Sequence, residues 1–250
     1  MNTTSSNGLS RHTEVTFSAS IDGTKQRYIE ILPENFNTKQ KYDVIIGLHG
    51  HGANRQQFAK EQRDECAAFR NIAAKYGMIA ITPDYRPKTS WMGSKAESDL
   101  LDIINKIKNM YIINRIFLIG GSMGGTSALT FSALHSELID GVTSMNGHAN
   151  HLEYENFQQA ISRSFGGSKK KIPEEYKKRS AEYWPERLTM PIAFTTGGKD
   201  KSVPNDSVLR LVAILKKLNP SILLINRPKT GHETNLKDAE KAMEFMVKMA

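Results

Sequence analysis

The sequence predicts an α/β protein: a single domain on a mostly parallel central sheet, with helices flanking both faces. Three observations carry that prediction. Short apolar, β-branched runs alternate with segments of helical period along nearly the whole chain. Turn and stop signals at Asp22-Gly23, Gly77, Pro83 and Asn219-Pro220 separate successive elements. The 250 residues suffice for one large core, and strands alternating with helices build parallel sheets.

Taken in order, residues 15–17 and 28–32 open the chain as a strand pair, divided by Asp22-Gly23. Residues 43–48 form a strand of the fully buried kind. A helical pattern over 67–76 is closed by Gly77, a residue suited to the left-handed stop of a helix. Residues 78–82 are the next strand, ended by Pro83. Within 96–110, Leu100, Leu101, Ile103, Ile104 and Ile107 fall on one helical stripe. A strand at 115–119 runs into a helix over 122–134. Further strands are predicted at 141–145, 192–196 and 222–225, and helices at 208–218, stopped by Asn219-Pro220, and at 239–249. After the sixth strand, 147–188 is a polar, partly helical insertion of a length that usually serves as a lid or binding element. Residues 1–12 are expected as a flexible N-terminus, with the domain spanning 13–250.

The formal charge is +8, and basic residues concentrate at Arg163, Lys169, Lys170, Lys171, Lys177, Lys178 and Arg179. Two readings stand: a solvated basic surface, or a rim that attracts anionic substrates. No aromatic-interleaved basic motif accompanies the charge, so no nucleic-acid partner is expected. No apolar run approaches the ~18–20 residues of a membrane span, so no membrane partner is expected either. The polar N-terminus lacks the apolar core of a signal peptide, which gives a cytoplasmic expectation; a removed signal would make the protein secreted or periplasmic. Cys66 is the only cysteine and excludes an intrachain disulfide.

The chemistry concentrates at Gly120-Gly121-Ser122-Met123-Gly124, a Gly-x-Ser-x-Gly sequence between a strand and a helix. There a serine can occupy a tight, strained turn while the flanking glycines let strand and helix approach. A serine hydroxyl needs a base, and the base needs an orienting acid. Asp200 follows the 192–196 strand in Gly197-Gly198-Lys199-Asp200, and His232 follows the 222–225 strand in Thr230-Gly231-His232. Each therefore lies past the C-terminal end of a strand, where open α/β sheets place ligand-binding residues. Donors for the oxyanion are expected from the Met123 N–H and from the His51 N–H in Leu48-His49-Gly50-His51-Gly52. His49 reads as a structural hydrogen-bonding residue. A metal pair from His49 and His51 lacks nearby acidic ligands, so neither metal nor cofactor is expected.

These motifs resemble the α/β-hydrolase superfamily, and among its members the serine esterases related to acetylxylan and feruloyl esterases, poly(hydroxyalkanoate) depolymerases and the catalytic domain of prolyl oligopeptidases. The Leu-His-Gly-x-Gly loop, the Gly-x-Ser-Met-Gly-Gly elbow, the Gly-x-x-Asp-x-x-Val-Pro turn and the Gly-His turn occur in family order from about residue 15 onward. The resemblance implies Ser122 as nucleophile, His232 as general base and then acid, and Asp200 as the orienting carboxylate. It implies a carboxylesterase acting on small acyl esters, with acetyl or feruloyl groups on carbohydrates as the finer expectation. The β-propeller of prolyl oligopeptidases has no counterpart in these residues, which sets the expectation against a peptidase. Serine at position 122 departs from the cysteine of dienelactone hydrolases. The alternatives are a prolyl-oligopeptidase-like peptidase or aminoacyl hydrolase, and a non-catalytic binding protein of the same fold. The partner expected is a small-molecule or oligosaccharide ester. Substrate contacts are expected from Tyr85, Arg86 and Trp91, from His148, Asn150 and His151, and from a Tyr183–Trp184 stacking surface.

Overall fold

In the computed structural model, which describes residues 9–86 and 88–250, the chain opens with β1 (Leu9–Ser18) and β2 (Lys25–Pro33), an antiparallel pair. Then come β3 (Lys41–Leu48), α1 (Gln56–Lys60), α2 (Asp64–Lys75), β4 (Ile79–Pro83) and α3 (Ser94–Met110). β5 (Ile112–Gly121) leads into α4 (Met123–Leu134), and β6 (Gly141–Met145) precedes the insertion with α5 (Gln158–Phe165) and α6 (Pro173–Lys178). The chain closes with β7 (Ile192–Gly197), α7 (Asp206–Leu218), β8 (Ile222–Arg227) and α8 (Leu236–Met249). One sheet holds all eight strands in the order β1-β2-β4-β3-β5-β6-β7-β8. β2 meets β4 antiparallel, and every pairing from β4 to β8 is parallel.

The two-residue period of a strand divides the core. Val44, Ile46, Leu48, Ile116 and Leu118 face a layer holding α3, α4, α7 and the insertion, whereas Ile45, Phe117 and Ile119 face α1, α2 and α8. The stripe predicted on α3 is the buried one: Leu100, Ile103, Ile104 and Ile107. α4 is buried on all sides from Met123 to Ala133, as expected of a helix apolar all round. Gly77 has φ +59° and ends α2 as predicted. Cys66 is buried, and that burial pushes its thiol up to about 12.

One expectation needs correction. β1 begins at Leu9, so residues 9–12 belong to the sheet rather than to a flexible N-terminus; residues 1–8 lie outside the described residues. The antiparallel partner β2 supplies the ladder that fixes them, a long-range gain that local propensity does not register. α1 was not foreseen. The insertion is anchored to α3 through Arg179, which is 1% exposed and binds Glu97, Glu175 and the Met92 carbonyl. No described helix is long and apolar enough to cross a membrane.

Candidate active site

Ser122 stands between β5 and α4 at φ 58°, ψ −123°, a conformation that costs a non-glycine residue about 1–3 kcal/mol. Packing holds it there. A Cβ on Gly120 would lie 2.3 Å from the Gly124 carbonyl, and one on Gly124 would lie 1.9 Å from the Leu48 carbonyl oxygen. Only glycine lets β5, α4 and the end of β3 cross this closely. The Ser122 N–H donates to the Met145 carbonyl of β6 at 2.8 Å, which fixes the turn from the other side.

A second close crossing joins the loops that carry Asp200 and His232. A Cβ on Gly197 would lie 2.0 Å from the Gly231 carbonyl, and Lys199 N–H donates to Thr230 O. The loops after β7 and β8 are thereby held side by side. His232 Nδ1–H donates to Asp200 Oδ2 at 2.5 Å, with the Asp200 side chain 1% exposed and the ring 29% exposed. Asp200 Oδ1 accepts the Ser202 and Val203 N–H groups, both at 2.9 Å, so the carboxylate cannot rotate. Ser122 and His232 line one cavity of about 580 Å³. Among the described residues no Ser122–His232 hydrogen bond is formed; such contacts are often long in free enzymes and tighten with substrate.

The loop after β3 reaches this cavity. A Cβ on Gly50 would sit 3.8 Å from Ser122 Cβ. The Gly50 N–H is committed to Gln57 Oε1 at 2.7 Å and the Gly52 N–H to the Lys88 carbonyl at 2.6 Å. Among the described residues nothing accepts the His51 N–H, which lies between these two. Met123 N–H, at the first position of α4, likewise lacks an intrahelical partner. The His51 side chain is held by Trp91, whose indole Nε1–H donates to His51 Nδ1 at 3.1 Å. An indole can only donate, so Nδ1 is the lone-pair nitrogen; burial lowers the pKa of this ring and favours the neutral form. His49 is buried, its ring set between the Gly50 and Asp84 carbonyls at 2.8 and 2.9 Å.

The residues expected to contact substrate lie elsewhere. Tyr85 is buried and donates to the His49 carbonyl at 2.5 Å. Arg86 is tied to Asp99, Asp22 and Thr24. Trp91 is fully buried behind His51. Tyr85, Arg86, Trp91 and Met92 all have positive φ, which turns side chains expected at the strand end into the body of the protein. His148 is buried and stacked on Tyr154 at 4.0 Å, and its burial pushes it down to about 3. It lines a separate cavity of about 290 Å³ together with Asn150, while His151 is fully buried. Tyr183 and Trp184 interact with Lys177 and Arg187, away from Ser122, and give the cavity no stacking surface. Of the insertion, Phe157 alone among the described residues lines the cavity. Sequence reasoning missed Phe157, Gln57, Glu65 and Glu233; a helix start placed at 67 concealed Glu65, and no local pattern marks the others.

The sheet, the strained serine and the His232–Asp200 pair define a serine hydrolase of α/β-hydrolase fold. The model of the prolyl oligopeptidase family, peptidase S9, matches residues 87–250, and the chain belongs to that family. No curated protein matches the sequence. Among solved structures the chain is similar to a Bacteroides ovatus protein described as a dipeptidyl aminopeptidase IV, with TM-score 0.78 at 17% identity; the match covers 97% of this chain and 36% of that one. It is also similar to an S-formylglutathione hydrolase of Agrobacterium tumefaciens, with TM-score 0.76, 12% identity, and coverage of 98% and 97%. A third is the fluorophosphonate-binding serine hydrolase F of Staphylococcus aureus, with TM-score 0.70, 14% identity, and coverage of 96% and 98%. The chain thus spans about a third of the first of these and nearly all of the other two. The likeness to acetylxylan and feruloyl esterases and to poly(hydroxyalkanoate) depolymerases has no counterpart among these matches.

Proposed function

We propose that the protein hydrolyses small acyl esters through an acyl-enzyme on Ser122. The observation that carries this reading is the His232–Asp200 bond at 2.5 Å beside a serine in the same cavity. Ser122 Oγ attacks the ester carbonyl as its proton passes to His232 Nε2. Asp200 holds the Nδ1–H tautomer and stabilises the imidazolium. The carbonyl oxygen, now negative, takes hydrogen bonds from the Met123 and His51 N–H groups. The tetrahedral adduct collapses, the C–O bond to the alcohol breaks, and His232 returns the proton to the leaving oxygen. Water then repeats the sequence on the acyl-enzyme, giving the acid and free Ser122. Acetyl or feruloyl esters of carbohydrates are the finer form of the proposal.

The test is a panel of acetyl, butyryl and feruloyl esters on simple and sugar alcohols, run with Ser122→Ala and with fluorophosphonate labelling. Ester turnover and labelling that both vanish in Ser122→Ala are expected; turnover retained by that variant overturns the assignment. The family match favours a second reading, cleavage of aminoacyl or peptide bonds by the same residues. An aminoacyl p-nitroanilide cleaved with a higher kcat/KM than the matching ester would establish that reading instead.

A further inference from the structure

The cavity around Ser122 is acidic, although the protein carries a net charge of +8. Its lining includes Asp64, Glu65 and Glu233 against a single guanidinium, Arg63, and no lysine. None of the basic residues between Arg163 and Arg179 lines it, so the positive stretch of the sequence is not part of this cavity's wall. Arg179 is consumed by Glu97 and Glu175, and Lys169 by Glu155.

Glu65 is the best placed of the three. A Cβ on Gly121 would stand 3.8 Å from Glu65 Cγ, which sets this side chain directly against the residue before the nucleophile. Its one ion-pair partner among the described residues is Arg63, at 2.9 Å, and that arginine is largely exposed. Glu233 follows His232, is exposed, and has no ion pair among the described residues. Asp64 is held by the Leu236 N–H, which leaves its charge uncompensated. Phe157 lines the same cavity, is 41% exposed at φ 54° and packs against the His51 ring at 4.4 Å. A partly exposed aromatic ring sharing a cavity with carboxylates is a combination that attracts an ammonium group over a neutral group of equal size.

We propose that this cavity selects substrates bearing a positive charge near the scissile acyl group, a primary or quaternary ammonium, with Glu65 and Glu233 as specificity-determining residues. The proposal rests on the serine hydrolase reading above. A unit charge about 6 Å from one carboxylate gains roughly 3-fold to 100-fold in kcat/KM as the effective dielectric falls from ~80 to ~20.

The experiment compares matched p-nitrophenyl esters whose acyl chains end in trimethylammonium, tert-butyl or carboxylate. The first two have nearly the same shape and differ in charge. The expected ratio of trimethylammonium to tert-butyl kcat/KM is about 10 or more at low salt, falling several-fold near 1 M salt, where the screening length is about 3 Å. Glu65→Gln and Glu233→Gln should each lower that ratio, whereas Glu186→Gln, which removes one carboxylate outside the cavity lining, should leave it unchanged. A ratio near one that ignores salt and Glu65→Gln, or a preference for the carboxylate ester, overturns the proposal. Calorimetric binding of the same esters to Ser122→Ala separates the two readings. If no ester is turned over but the trimethylammonium ester still binds more tightly than its isostere, the hydrolase reading fails and the cation preference stands. Equal binding of the two overturns the preference.

Discussion

Replacing Gly124 by alanine tests the elbow most directly. In an ordinary helix the change would help, since alanine exceeds glycine by up to about 1 kcal/mol in helix propensity. Here the new Cβ would fall 1.9 Å from Leu48 O, 2.8 Å from Leu48 C and 2.9 Å from His49 O. All three are backbone atoms, so no side chain can swing aside. Restoring an ordinary carbon–oxygen contact near 3.4 Å requires α4 and the end of β3 to part by about 1.5 Å. Overpacking of this kind costs about 3 kcal/mol or more, which at this chain length lowers Tm by roughly 6–12 °C. The displaced backbone leads directly into His51, so ester kcat/KM should fall as well, by about 100-fold for a shift near 1 Å. The matched control is Gly121→Ala, whose nearest contact would be Glu65 Cγ at 3.8 Å and which should fold normally. Scanning calorimetry and acetyl-ester kinetics on both variants supply the readout. A Gly124→Ala protein as stable as the parent, or more stable, would refute the reasoning.

Asp200→Asn should keep the fold and lower ester kcat by about 10³–10⁴, because an amide cannot hold the same tautomer of His232; a loss below tenfold in steady-state kinetics would remove Asp200 from its role. Trp91→Phe keeps an aromatic side chain of smaller size but deletes the indole donor to His51 Nδ1, and, with His51 as an oxyanion donor, should lower kcat about 3- to 30-fold with little change in KM, because such a donor acts mainly in the transition state. Glu97 supplies a pH test. Burial opposes its charge, but the His135 hydrogen bond and the Arg179 guanidinium outweigh burial and hold it down at about 2, against 4.5 for the free group. A depressed carboxylate stabilises the fold above its unfolded pKa and loses that contribution as pH falls toward its folded one. The stability gap between the parent and Glu97→Gln, measured by urea unfolding, should therefore narrow steadily from pH 5 to pH 2; a constant gap would contradict the assignment.

The parts of the site legible in the sequence are those fixed by backbone crossings. Gly120, Gly124 and Gly197 mark places where no Cβ fits, and they bracket Ser122 and precede Asp200. The order of strands and loops then carries His232 to Asp200, because parallel strands deliver successive loops to one edge of the sheet. The rule of strand ends says which edge a loop occupies, not which way its side chains turn. Tyr85, Arg86 and Trp91 follow β4 at the expected edge, yet their left-handed backbone turns them away from the cavity. Nothing in a run of tyrosine, arginine and tryptophan announces positive φ. Glu65 and Glu233 escaped for a different reason. Each is an ordinary exposed-type residue in sequence, and its meaning arises only when α2 and the loop after β8 meet over Ser122.

That left-handed bend also explains why Tyr85 and Trp91 stand outside the cavity lining. Tyr85, Arg86, Lys88, Trp91 and Met92 each have positive φ, and such residues cost about 1–3 kcal/mol apiece unless the surroundings over-determine them. The surroundings do so at each anchor. Tyr85 OH donates to His49 O, Lys88 O accepts Gly52 N–H, Trp91 Nε1–H donates to His51 Nδ1, and Met92 O accepts from the buried Arg179. Three of these four anchors land on the loop from His49 to Gly52. The strain is thus spent on one short backbone segment, which a Gly-rich loop could not hold in place by itself. A loop rich in glycine gains access to unusual conformations but loses more entropy when ordered. The buried rings of Tyr85 and Trp91 offset that entropy and hold the loop in one arrangement.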